Sequence, residues 1–136
     1  MGDTVVPSRG SWWLVTKVFQ AFRLQFTRIG REIALKLASH GYSLALGNVS
    51  SNQQRLKQVA DECTEIQKDS NLSHKPKTCY GPCDVSVELQ VESLVERAVN
   101  ELGGINVMVA NAGIYGAVPL LETSDELFDR LYAVNV

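Results

Sequence analysis

Ile105-Asn-Val-Met-Val-Ala-Asn-Ala-Gly113, INVMVANAG, is apolar almost throughout residues 105–110 and then breaks into an Asn-Ala-Gly turn. A strand with one wet face alternates polar and apolar positions. One that does not alternate is covered on both faces, as in a parallel sheet flanked by helices. Residues 105–110 therefore read as a buried parallel strand, and the segments on either side are the helices such a sheet needs.

Upstream, Val91, Leu94, Val95, Ala98, Val99 and Leu102 follow i, i+3, i+4, i+7 spacing, and Gly103-Gly104 closes the helix they define. Thr78–Cys83 is a weaker strand, bent by Gly81-Pro82, and Asp69–Lys77 is a polar loop. Leu56, Val59, Ala60, Cys63 and Ile66 stripe another helix, opened by the capping box Ser51-x-x-Gln54. Tyr42–Leu46 is a strand. Ile29, Ile33 and Leu37 with Ala34 and Ala38 form one helical face, ended by His40-Gly41 with Gly41 as a left-handed cap. His40 is thus a helix-end residue rather than a catalytic one. Trp12-Trp13-Leu14-Val15 is the first strand, after a loose polar start over residues 1–10. Downstream, Thr123-x-x-Glu126 is a second capping box, opening a helix with Leu127, Leu131 and Val134 in which the chain stops.

The order β-α-β-α-β-α-β-α implies right-handed crossovers and a doubly wound parallel sheet of about four strands, an incomplete α/β fold. Ligands of such sheets bind at the carboxyl ends of the strands, beside the topological switch. The candidate site is therefore the set of turns 16–28, 47–50, 83–86 and 110–118.

Composition narrows the function classes. The 136 residues are 45% hydrophobic and 21% charged with net charge −2, one soluble domain's worth of chain with no bulk attraction for nucleic acid. No apolar run approaches the roughly 20 residues that span a bilayer, so no membrane partner is expected. The start, MGDTVVPSRGS, lacks a signal peptide's apolar stretch and has Val6 where myristoylation wants Ser or Thr. A cytoplasmic location follows, with Asn48-Val-Ser50 and Asn71-Leu-Ser73 as chance glycosylation triplets. Cys63, Cys79 and Cys83 form no CxxC pair; reduced, partly buried thiols are a better reading than a metal site built from Cys79, Cys83 and His74.

Three turns carry specific chemistry. Gly113 allows close backbone approach of a ligand, and Asn111 can tie strand ends together. Asp84-Val85 offers an acceptor for a base amine. Arg28-Ile29-Gly30 opens a helix, where free N–H groups and the dipole favour a phosphate. Each has a plainer alternative: Asp84 as a helix cap, Asn111 as a turn former.

Together, VMVANAGIYGAVPLLETSDELFDRLYAVNV (107–136), CDVS (83–86) and RIGREIALKLASHG (28–41) resemble the short-chain dehydrogenase/reductase family over about residues 12–136. The tail is especially similar to fungal members that reduce small ketones or diketones. The resemblance implies that residues 11–136 are the N-terminal half of a Rossmann dinucleotide-binding domain. It also implies hydride transfer between NAD(P)(H) and a small carbonyl or alcohol substrate, and homo-oligomers. Thr16, Ile29 and Gly30 would then lie against the pyrophosphate, and Asp84-Val85 would read the adenine. Asn111, Ala112 and Gly113 would hold the fourth strand beside the cofactor, and Asn135 matches the family asparagine whose helix backbone supports a proton relay. Asn48 stands where NAD-preferring members place an acid, which favours NADP(H) over NAD(H).

Two departures qualify that expectation. The family turn Thr-Gly-x-x-x-Gly-Ile-Gly is represented by Thr16 and Ile29-Gly30 alone. Between them Lys17–Arg28 is an anomalous insertion with Lys17 and Arg28 at the glycine positions. It reads as residues foreign to the fold; the alternatives are a hydrophobic flap or helix extension, and a basic amphipathic helix built on Phe19, Phe22 and Phe26. Secondly, the family's Ser and Tyr-x-x-x-Lys lie beyond Val136, and no tyrosine here has a lysine four positions on. Weak or absent dinucleotide binding, no turnover and an open edge at the fourth strand are therefore expected. The alternative function is a non-catalytic half-Rossmann that binds dinucleotide or another protein.

Overall fold

The computed structural model describes residues 12–17, 27–69 and 75–136, with side chains described from Ile29 to Asp69 and from Lys75 onward. Strands β1 (Trp12–Lys17), β2 (Ser43–Asn48), β3 (Thr78–Pro82) and β4 (Val107–Ala110) alternate with helices α1 (Thr27–Ser39), α2 (Gln53–Lys68), α3 (Glu88–Leu102) and α4 (Asp125–Asn135). Every strand pair is parallel and the order is β3-β2-β1-β4. The chain thus steps outward from β1 to β3 and returns on the other side of β1. That reversal opens a crevice between the carboxyl ends of β1 and β4. Thr16 lies there, level with Gly47 on one side and Ala110 on the other.

β2 is the buried spine. All six of its residues are buried, and successive side chains serve opposite layers. Leu44 and Leu46 pack with Ala34, Ala38, Leu56, Ala60 and Cys63 beneath α1 and α2, whereas Ala45 packs with Cys79, Leu94, Ala98 and Leu102 beneath α3. Two cores, one per face, are what a doubly wound sheet requires. β4, expected from its apolar run to be covered on both faces, is instead one edge of the described sheet: none of its residues is buried, and Met108 is half exposed.

Helix ends follow local chemistry. Gly41 has φ 79°, and the bonds Tyr42 N–H to Leu37 O (3.2 Å) and Gly41 N–H to Ala38 O (2.9 Å) complete a Schellman motif. His40 Nδ1 sits 2.7 Å from Lys36 O, a helix-end role as expected. Gly103 closes α3 with φ 91°.

Several expectations need correction. The inward stripe of α1 is Gly30, Ala34 and Ala38, while Ile29 is 50% exposed and Ile33 and Leu37 only flank the core. Small residues at i, i+4 and i+8 let the helix lie close to its neighbours, so the apolar face is rotated from the one marked by the large residues. Val99 is likewise 46% exposed, outside the Leu94/Ala98/Leu102 stripe of α3. Ser51 caps nothing: it lies inside a 3-10 turn, Ser50–Asn52, and α2 starts after it with no side-chain cap. At α4 the cap is Ser124, not Thr123. Its Oγ accepts from Leu127 N–H at 3.3 Å and its hydroxyl draws the Glu126 carboxyl below the usual range. The strands are offset from their sequence bounds: β1 and β2 run on to Lys17 and Asn48, and β4 starts at Val107. The readings of residues 1–10, of 18–26 within the insertion, and of His74 lie outside the described residues.

Candidate functional site at the carboxyl ends of the strands

The loops that follow β2, β3 and β4 converge on one end of the sheet because all strands are parallel. At the end of β2, Asn48 is 6% exposed and its Oδ1 accepts from Val49 N–H at 2.9 Å. Its main-chain oxygen accepts from Cys83 N–H (2.8 Å) and from Gln53 Nε2 (3.1 Å), so the ends of β2 and β3 are stitched together and α2 is anchored to them. No acid occupies this strand end.

Asp84 follows directly. Its Oδ1 accepts from Ser86 N–H (3.0 Å) and Ser86 Oγ (2.6 Å), its N–H donates to Gln90 Oε1 (2.8 Å), and its carbonyl accepts from Val87 N–H (3.0 Å). Asp84 therefore organises a turn before α3 rather than capping the helix, whose N-cap is Val87. Its Oδ2 has no hydrogen bond among the described residues. Ser86 and Gln90 were not singled out by sequence; the Asp-x-Ser spacing is a recognisable side-chain turn, but a glutamine six residues on carries no periodic signal.

Beyond β4, Asn111 and Ala112 are half-buried and Gly113 is exposed. Asn135, the last residue of α4, meets this loop: its Nδ2 donates to Ile114 O and its Oδ1 accepts from Ile114 N–H, both at 2.9 Å. The side-chain amide thus pairs with a main-chain peptide as a neighbouring strand would. A Cβ at Gly113 would meet only Asn135 Oδ1, at an ordinary 3.5 Å. Nothing among the described residues demands glycine there, and the exposed loop leaves space beside it. At Gly116 the reverse holds: a Cβ would lie 3.0 Å from Leu127 Cδ2, so the loop is pressed onto α4.

Thr16 and Lys17 end β1 in the middle of this surface, while Gly30 is buried and Ile29 exposed in the first turns of α1. The three cysteines are buried and free; burial pushes the Cys63 thiol up to about 12, Cys79 to about 11, and Cys83 upward too. They are inert packing groups. No cluster of metal-ligating side chains occurs among the described residues. An open groove of about 390 Å³ runs along the outer edge of β3, where Arg97 Nη1 donates to Tyr80 O at 2.6 Å, well away from the crevice beside β4. No helix among the described residues is long and apolar enough to cross a membrane.

A parallel β3-β2-β1-β4 sheet with its loops gathered at the carboxyl ends defines a Rossmann-type α/β protein. The sequence model of the short chain dehydrogenases matches residues 26–136, and the chain belongs to the short-chain dehydrogenase/reductase family. A short-chain dehydrogenase/reductase of Armillaria gallica is 39% identical over 108 residues, which is 79% of this chain and 38% of the relative. An L-2,3-butanediol dehydrogenase of Corynebacterium glutamicum is 32% identical, over 79% of this chain and 39% of its own. The chain therefore spans about two fifths of the length of these relatives. Among solved structures, an alcohol dehydrogenase of the archaeon Thermococcus sibiricus, complexed with 5-hydroxy-NADP, superposes with TM-score 0.74 at 31% identity, over 94% of this chain and 48% of that one.

Proposed function

We propose that this chain is the cofactor-binding portion of an NAD(P)(H)-dependent oxidoreductase that acts on a small carbonyl or alcohol. The observation that carries the reading is the frame of Asp84 at the strand ends: three of its polar atoms are held by Ser86, Val87 and Gln90, and one carboxylate oxygen has no hydrogen bond among the described residues. The outward space at Gly113 supports it on the other side of the crevice.

In this reading Asp84 accepts from the adenine amine with Val85 beside it, and Asn111, Ala112 and Gly113 support the nicotinamide end. Thr16 and Ile29-Gly30 lie by the pyrophosphate. The bound nicotinamide would supply or accept the hydride. Asn135 holds the Ile114 peptide and so fixes the loop against which the cofactor packs. Asn48 puts no negative charge beside the adenosine ribose, which favours NADP(H), in keeping with the NADP derivative bound by the Thermococcus sibiricus enzyme. The butanediol dehydrogenase relative favours a small ketone or vicinal diol as substrate. Residues 1–136 by themselves turn over no substrate, because none of their tyrosines has the lysine partner that general acid–base chemistry in this family uses.

Fluorescence titration of the purified chain with NADPH and NADH tests the proposal. Saturable binding of NADPH, weaker than about 0.1 mM and tighter than NADH, is expected. Silence for both up to about 10 mM removes the reading.

A further inference from the structure

Asp84 is held by two neighbouring side chains, Ser86 and Gln90. Ser86 engages Oδ1 through both its N–H and its hydroxyl, and Gln90 reaches back from the first turn of α3 to accept the Asp84 N–H at 2.8 Å. The Asp84 carbonyl is taken by Val87 N–H. With its main chain pinned at both ends and Oδ1 doubly engaged, the carboxylate is held in place and Oδ2 is the oxygen without a hydrogen bond among the described residues. Directionality matters here: an Asp carboxylate accepts from an amino group but repels a carbonyl oxygen in its place.

We infer that Gln90 is a positioning residue for purine discrimination: by locking the Asp84 peptide it aims Oδ2 so that the site distinguishes a purine bearing a 6-amino group from one bearing a 6-oxo group. The inference rests on the dinucleotide reading above but not on the first turn of the fold, since a mononucleotide can test it. Gln90 is not a catalytic residue. It acts only through Asp84, because its amide oxygen is already committed to the Asp84 N–H.

The experiment uses the full chain, isotope-labelled, titrated with 5′-AMP and 5′-IMP and followed by amide chemical shifts. The native chain is expected to bind AMP about tenfold more tightly than IMP. Gln90→Leu should bring the two affinities within about twofold by weakening AMP alone, while Gln90→Glu, which keeps an acceptor oxygen, should retain the preference. In the absence of any nucleotide, the Asp84 amide should lose exchange protection in Gln90→Leu and keep it in Gln90→Glu. An unchanged AMP preference in Gln90→Leu, equal weakening of AMP and IMP, or an Asp84 amide as protected as in the native chain overturns the inference and leaves the proposed function standing. A native chain that binds neither nucleotide overturns both. Far-UV circular dichroism of each variant distinguishes these outcomes from loss of fold.

Discussion

Gly113 and Cys63 are buried to opposite degrees, and each makes a residue-scale claim. Gly113 lies where a Cβ meets nothing closer than 3.5 Å, so Gly113→Ala should leave stability within about 0.5 kcal/mol in urea denaturation. The same methyl would occupy the outward space that the dinucleotide reading reserves, and NADPH affinity should fall by about tenfold or more. Equal affinities would mean that the cofactor does not pass this loop. The buried thiols make a pH claim. The Cys63 thiol ionises near 9.0 when exposed but is pushed up to about 12 by burial, so above pH 9 the unfolded chain releases a proton that the folded chain keeps. The contribution of this thiol is therefore constant below pH 9, and stability falls as pH rises toward 12, by about 1.4 kcal/mol per pH unit for each such thiol. Cys79, raised to about 11, adds its share over a narrower window. Denaturant midpoints measured from pH 8 to 11 check the slope, and Cys63→Ala, though less stable at pH 8, should flatten it.

At the scale of elements, β4, the 3-10 turn Leu120–Glu122 and α4 share a run of exposed apolar side chains: Met108, Leu120, Leu121, Phe128 and Tyr132 are all more than half exposed. Unpaired strand edges of this kind recruit other chains. The 136-residue chain should accordingly self-associate with rising concentration in sedimentation velocity, and Met108→Lys, a charge on the edge strand, should suppress it. Sedimentation indifferent to both concentration and Met108→Lys would show that the edge is not sticky. Much of this architecture was legible in sequence, because alternation of unbroken apolar runs with 3.6-residue stripes has few structural solutions. The faces of the helices were less so. α1 turns Gly30, Ala34 and Ala38 inward; the two alanines belong to the expected face, but Gly30 carries no hydrophobic signal and Ile29, counted in that face, is half exposed. The caps failed for a related reason: Ser50–Asn52 and Leu120–Glu122 form 3-10 turns that displace the start of the following helix past the expected box. Of the candidate site, Asp84, Asn111 and Asn135 stand out in the sequence through their motifs. Ser86 and Gln90 could not, since their roles exist only once the β3–α3 turn has folded.

For the whole molecule, the decisive question is how a Rossmann-type sheet with the proposed dinucleotide site works with Lys17 and Arg28 where the family has glycines. The register puts Lys17 level with Asn48, the last residue of β2, so position 17 is the first backbone to meet anything resting on the carboxyl ends of the strands. A glycine there lets a phosphate approach the main chain; any side chain holds it further off, and the attraction of a helix N-terminus fades within a turn. The rest of the site should be unaffected, because Asp84 is held by contacts within the β3–α3 turn and the loop after β4 is tied at Ile114 to Asn135 of α4. Replacing residues 17–28 by a five-residue Gly-x-x-x-Gly loop should therefore tighten NADPH binding by at least about tenfold. The replacement should leave AMP binding unchanged, since AMP draws on the adenine end alone. An increase for AMP as large as that for NADPH would mean that the loop stabilises the whole fold rather than the pyrophosphate. No increase for either would mean that Lys17–Arg28 already provides what the glycines do elsewhere in the family.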